Sequence, residues 1–252
     1  MSDRDGGLRR TYRDMLVALM DRVLDSQAEA LDAARDAVAE ALMADRLVHV
    51  AGSGHSHLLA EEVFYRAGGL AAAQAILDED LMLHRGAERS TRIEREEGRA
   101  EGLAERFGIA AGDVVIVASN SGRNAFPVEM ALVARDRGAR VIALTSLAHS
   151  CRFASRHASG QRLFEVADIV IDNCGVPGDA GLAVPGVASP MGPTSTIVGV
   201  FVLNTVMAEA AATVAAQGGK VDVYRSANSD PSAGGEAAET MIERWRARIA
   251  GL

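Results

Sequence analysis

The sequence predicts an α/β fold: a five-stranded parallel sheet between two layers of helices, a three-layer αβα sandwich. Three observations predict it. Short β-branched runs such as Val115-Ile116-Val117-Ala118 are apolar at every position, as in strands buried on both faces. Segments of helical periodicity alternate with these runs, which is what crossovers between parallel strands require. The chain of 252 residues is 48% hydrophobic but only 4% aromatic, so small aliphatic side chains must pack the helices closely on the sheet.

Within residues 11–43 apolar side chains recur at helical spacing (Leu16, Leu19, Met20, Val23, Leu24, Leu31, Val38, Leu42), predicting one long N-terminal helix or two in tandem. Residues 46–51 read as the first strand, Gly52-Ser53-Gly54-His55-Ser56-His57 as a glycine-bearing turn, and 58–66 as a helix stopped by Gly68-Gly69. A second strand is expected at 70–77, although its alanines also fit a helix. The highly charged stretch 78–102 reads as a long loop plus a helix. The third strand, 113–118, ends at Ser119-Asn120-Ser121-Gly122-Arg123-Asn124, and the helix that follows, 124–137, stops at Gly138. The fourth strand, 141–144, delivers Thr145 and Ser146 to the same sheet edge, and the fifth covers 168–171. Residues 173–193 are rich in Gly and Pro and aperiodic; so long a loop in a compact domain is frequently functional. A long apolar helix is expected at 197–216 with Thr194 or Ser195 as its N-cap, then a turn at 231–235 and an amphipathic helix at 237–249. No internal repeat interrupts this order. One domain over 1–252 results, with a helical segment 1–45, a core 46–217 and a C-terminal helical part 218–252.

Several function classes are disfavoured. A formal charge of −8 argues against nucleic acid or anionic membrane as partner. Cys151 and Cys174 form no CxxC and read as ordinary thiols. The polar first five residues lack a signal-peptide core, and no uninterrupted apolar run reaches the roughly 18 residues that span a bilayer, so a cytoplasmic protein is expected. The first turn has His57 where a dinucleotide fingerprint needs its third glycine, and no Walker A loop is present. No cofactor is therefore expected. His55 and His57 are closely spaced without further ligands, and no metal site is indicated.

In parallel sheets ligands bind beyond the carboxyl ends of the strands. The turns at Ser53, Ser119, Thr145 and Ser195 should all lie there. Each hydroxyl alone can be explained as a helix cap. Four such turns on one edge point instead to a phosphorylated polyol, since helix N-termini readily hold phosphate.

Here the sequence resembles the sugar isomerase (SIS) domain family, whose members bind phosphosugars. Ser119-Asn120-Ser121-Gly122-Arg123-Asn124 is similar to the family's Ser-x-Ser-Gly-x-[Ser/Thr] phosphate loop, and Ala51-Gly52-Ser53-Gly54-His55-Ser56 to the turn after its first strand. The likeness runs from about residue 46 to 217, nearest the single-domain branch of phosphoheptose isomerases and N-acetylmuramic acid 6-phosphate etherases. It implies a flavodoxin-like SIS fold and a homo-oligomer, at least a dimer. It also implies that Ser119, Asn120, Ser121 and Asn124 hold the phosphate, with Asn124 replacing a hydroxyl. Ser53, Ser56, His57 and Ser146 would line the sugar, and Ser195 and Thr196 would close the site.

Moving the proton at carbon 2 of an open-chain sugar phosphate needs a base within hydrogen-bond reach. Glu61 and Glu62 follow the first turn; adjacent helical residues point about 100° apart, so at most one faces the site. Solvated surface glutamates are the ordinary alternative. His55, His57 and His84 are candidate acids, His84 being the one retained as catalytic. The relatives' catalytic glutamate aligns with Arg66, and no histidine follows His157, which disfavours strict isomerase chemistry. The expected reaction is therefore elimination at carbon 3 of an N-acetylglucosamine 6-phosphate-like substrate, by a dehydratase or etherase-like lyase. An aldose–ketose phosphate isomerase and a non-catalytic phosphosugar sensor are the alternatives.

Overall fold

The structure is a computed structural model that describes residues 7–226 and 238–252; the turn expected at 231–235 lies outside the described residues. The N-terminal segment forms two helices, α1 (Gly7–Ser26) and α2 (Ala28–Met43). The sheet is built from β1 (Val48–Gly52), β2 (Ala73–Ile76), β3 (Val114–Ala118), β4 (Arg140–Thr145) and β5 (Ile169–Asp172). It is parallel throughout, in the order β2-β1-β3-β4-β5. The predicted five-stranded αβα sandwich is what forms.

Burial on both faces explains the unbroken apolar runs. Val114, Ile116 and Ala118 point into one core, shared with α2 and the long helix α9 (Ser195–Ala216). Val115 and Val117 point into the other, shared with α5 (Ala100–Arg106) and α6 (Ala125–Asp136). Between the strands lie α3 (His57–Val63) and α4 (Ala87–Ile93), while α7 (Leu147–Ser150) and α8 (Leu163–Val166) follow β4.

Two stretches differ from expectation. The helix after the first turn ends at Val63, three residues early, because Phe64 is extended and Tyr65 takes a positive φ of 45°. The 173–193 loop is partly ordered as an antiparallel hairpin of β6 (Ala180–Leu182) and β7 (Met191–Pro193). Alternation over three residues is too short to announce such strands.

Among the described helices α9 is long and apolar enough to cross a bilayer by length and composition. Its Val198, Val202, Val206, Ala210 and Val214 recur every four residues and are buried in the core, which accounts for that composition. The terminal helix α10 (Ala238–Arg246) adds a third small core, in which Trp245 and Met241 cover Leu47, Ala71 and Ala72.

Candidate active site

Strand order reverses between β1 and β3: the chain leaves β1 toward β2 on one side, then returns to place β3 on the other. The crevice at such a switch point is where open parallel sheets bind ligands. The Ser53 and Ser119 turns flank it.

The first turn folds tightly enough that a side chain at Gly52 would overlap the Ser56 carbonyl. Its Ser53 is buried and donates to Glu94 Oε2 at 2.7 Å. In the second turn Gly122 N–H donates to Ser119 Oγ at 3.1 Å, and Ser150 Oγ donates to the Ser121 carbonyl at 2.6 Å. Gly122 has a φ of +56°, and a Cβ there would lie 2.7 Å from Ser150 Oγ, so both backbone and space demand glycine. Asn124 precedes α6 in extended geometry but makes no capping bond with its side chain. Its Nδ2 donates to Glu94 Oε1 at 2.7 Å, and its Oδ1 accepts from Arg156 Nη1 at 2.8 Å.

Glu94, just after α4, thus ties the two turns together. Its carbonyl also accepts from Phe126 N–H at 3.0 Å, which pins its main chain to the start of α6. Burial raises the pKa of the carboxyl, while the Ser53 hydroxyl, Arg95 and Arg156 oppose the rise. A carboxyl with these features in a ligand crevice is a candidate to transfer a proton. Sequence reasoning missed it. Glu94 is one of many acids between residues 78 and 102, and the only local signal is its position beside buried Ile93.

The expected bases Glu61 and Glu62 stand on α3. The Glu61 side chain is 42% exposed and faces His57 Nδ1 at 3.5 Å. Glu62 is paired with Arg66 and accepts from Asn204 Nδ2 on α9 at 3.1 Å. Glu61 thus stands on the open side of α3, whose His57, Leu59, Ala60 and Val63 are buried. His57 is buried, and its Nε2 accepts from Asp78 N–H at 3.2 Å, so the ring proton resides on Nδ1, toward Glu61. Burial lowers its pKa and keeps it neutral. His84 is exposed on a short turn of residues 83–85, as is His55 in the first turn.

Other predicted residues have identifiable partners. Ser146 is fully buried, donates to the Gly175 carbonyl at 2.7 Å and accepts from His149 N–H at 3.2 Å, a cap for α7. Asn120 Oδ1 accepts from Asn173 Nδ2 at 2.9 Å. Ser195 donates its N–H (2.8 Å) and hydroxyl (2.5 Å) to Asp179, which also accepts from Thr194 N–H. Asp179 therefore occupies the N-terminus of α9, next to half-buried Thr196. Ser56, Leu59, Ser119, Asn120, Asn173 and Ser195 surround only about 10 Å³ of free space there. Among the described residues no group of three or more His, Cys, Asp or Glu is arranged to hold a metal ion.

Comparison with known proteins follows this geometry. Residues 11–146 match the family model described as SIS domain. The chain is 42% identical over 238 residues to a UPF0309 protein of Listeria innocua, covering 94% of this chain and 96% of that one. It is 43% identical over 237 residues to a UPF0309 protein of Brucella canis, with 94% and 96% covered. Among solved structures the fold is similar to phosphoheptose isomerase from Neisseria gonorrhoeae, with a TM-score of 0.54, 18% identity, and 81% of this chain and 96% of that one covered. It is similar also to a phosphoheptose isomerase from Francisella tularensis, with a TM-score of 0.53, 17% identity, and 83% and 98% covered. At those identities the likeness is one of fold.

Proposed function

The chain belongs to the SIS-domain family and to the UPF0309 proteins, and from that premise we propose that it is a sugar-phosphate enzyme whose general base is Glu94. The observation that carries this reading is the buried Glu94 carboxyl, hydrogen-bonded by Ser53 and Asn124 between the two turns of the switch-point crevice. The phosphoryl group rests on the 119–124 turn, at the positive end of α6 and within reach of the Ser121 hydroxyl. The sugar then extends toward the Ser53 turn, past the carboxylate.

Glu94 removes the proton at carbon 2, and the electron pair passes to the carbonyl oxygen as an enolate. Collapse of the enolate expels the substituent at carbon 3, and the proton now on Glu94 is delivered to that leaving group. The substrate we infer is an N-acetylated hexosamine 6-phosphate, and the reaction an elimination. The working unit is at least a dimer: Val17 and Leu24 on α1, Leu58 on α3 and Ile197 on α9 are exposed apolar side chains that a second copy would cover.

Proton NMR with a panel of hexose and N-acetylhexosamine 6-phosphates in D₂O tests the reading. Loss of the carbon-2 proton signal with a new alkene resonance is expected. Deuterium at carbon 2 with aldose–ketose exchange would establish isomerisation instead. Saturable binding without any change in substrate would make the protein a sensor and remove Glu94 from its role.

A further inference from the structure

Arginines from three separate segments lie within electrostatic reach of one another: Arg95 and Arg156 act on Glu94, and Arg123 and Arg95 act on Arg156. Arg95 follows Glu94 in sequence, Arg123 belongs to the 119–124 turn, and Arg156 lies in the irregular stretch after α7. The last two are locked together: Arg156 N–H donates to the Arg123 carbonyl at 2.8 Å, and Arg123 Nε donates to the Ala154 carbonyl at 2.9 Å. The Arg123 guanidinium also stacks on Phe153, 5.1 Å from the ring centre. Arg156 reaches back to Asn124 Oδ1, on the opposite end of the amide from the Nδ2 that holds Glu94.

Among the described residues none of the three forms an ion pair with an acid. By contrast Arg89, Arg92 and Arg99, on and after α4, each pair with a carboxylate. Burial lowers the pKa of Arg156, and the Arg123 and Arg95 charges lower it further against the opposing pull of Glu94. With a net charge of −8 the chain has acids to spare, yet among the described residues Glu94 is the one acid whose charge acts on Arg156.

Resting on the sugar-phosphate reading, we propose that the ligand carries a second anionic group, a carboxylate or a phosphate, gripped by Arg95, Arg123 and Arg156. Planar guanidinium forks match both groups in two-point contacts. With the phosphoryl group at the Ser119 and Ser121 end of the turn, and the Arg123 side chain turned to Ala154 and Phe153, the cluster serves the other end of the sugar, across Asn124 and next to the base. The arrangement also couples binding to chemistry. Arg95 and Arg156 make Glu94 more acidic, so an anion that neutralises them makes Glu94 a stronger base once the ligand is seated.

Titration calorimetry at fixed ionic strength with three probes tests this: glucose 6-phosphate, 6-phosphogluconate and glucose 1,6-bisphosphate. The expected result is that at least one doubly anionic probe binds about tenfold or more tightly than glucose 6-phosphate, a difference of about 1.4 kcal/mol. Whichever of the two gains identifies carboxylate or phosphate. Arg156→Gln and Arg95→Gln should each erase most of that gain while leaving glucose 6-phosphate within about twofold. Equal affinity for all three probes, or a gain that survives both substitutions, overturns the proposal and leaves the sugar-phosphate reading standing. So does an equal loss for all probes in the variants, which would make the cluster the phosphoryl site itself. Failure of every probe to bind removes the sugar-phosphate reading and this inference with it.

Discussion

At the scale of single residues the site turns on Glu94. Gln at this position keeps the shape and can accept from Asn124 while donating to Ser53, but it cannot take a proton. Glu94→Gln is predicted to lower turnover by about 10²–10⁴-fold with ligand affinity little changed, measured by steady-state kinetics and calorimetry. Stability should move the other way. The folded-state pKa of Glu94 is raised above the ordinary 4.5, so the unfolded chain ionises first as pH rises. Stability therefore falls through the window between the two values, and the full penalty persists above the folded pKa. At neutral pH Glu94→Gln should raise Tm, by roughly 2–4 °C for each kcal/mol relieved in a chain of this size. In the parent protein kcat/KM should fall on the acid side with an apparent pKa above 4.5. Ser121→Ala removes a donor from the phosphate turn and should raise the Kd for any sugar phosphate several-fold, about 1 kcal/mol for one hydrogen bond; an unchanged Kd would displace the phosphoryl group from that turn.

At the scale of elements, helices are held at their ends and at their closest contacts. Asp179 has a positive φ of 59° and gathers four donors from Thr194 and Ser195, so the hairpin it precedes is fastened to the start of α9. Asp179→Ala should lower stability by about 0.5–2 kcal/mol, the usual worth of an N-terminal cap, in urea unfolding. Gly199 faces Leu59, and a Cβ would lie 2.5 Å from Leu59 Cδ2, so a methyl there requires the buried Leu59 side chain to shift. Gly199→Ala should cost about 1–3 kcal/mol by overpacking the buried Leu59 side chain, outweighing its gain in helix propensity.

For the whole molecule, the five strands and the two-faced burial of the sheet were legible because they depend on local pattern: Val114 to Ala118 alternate between two cores whatever lies far away in sequence. The two turns that flank the crevice were legible for the same reason, since Gly52 and Gly122 mark places where backbone needs room. What depends on long-range contact was not. Of the acids between residues 78 and 102, Glu94 is turned inward by an amide of Phe126, 32 positions away, and no periodicity records that. The partner of Ser195 was equally hidden, because Asp179 sits in an aperiodic loop. Helix geometry anticipated that Glu61 and Glu62 face different ways, and they have different partners, His57 and Arg66, which sequence spacing alone does not decide. As an assembly, the protein should sediment with at least twice the mass of one chain, and a monomer at micromolar concentration would remove the second copy from the site.

The central claim is that Glu94 moves the carbon-2 proton of a bound sugar phosphate. Solvent deuterium incorporation at carbon 2, followed by NMR for the parent protein and Glu94→Gln with the same substrate, tests it most directly. Exchange or elimination by the parent and none by the variant is the expected result, although both bind the substrate. Exchange by the variant at the parent rate would contradict it.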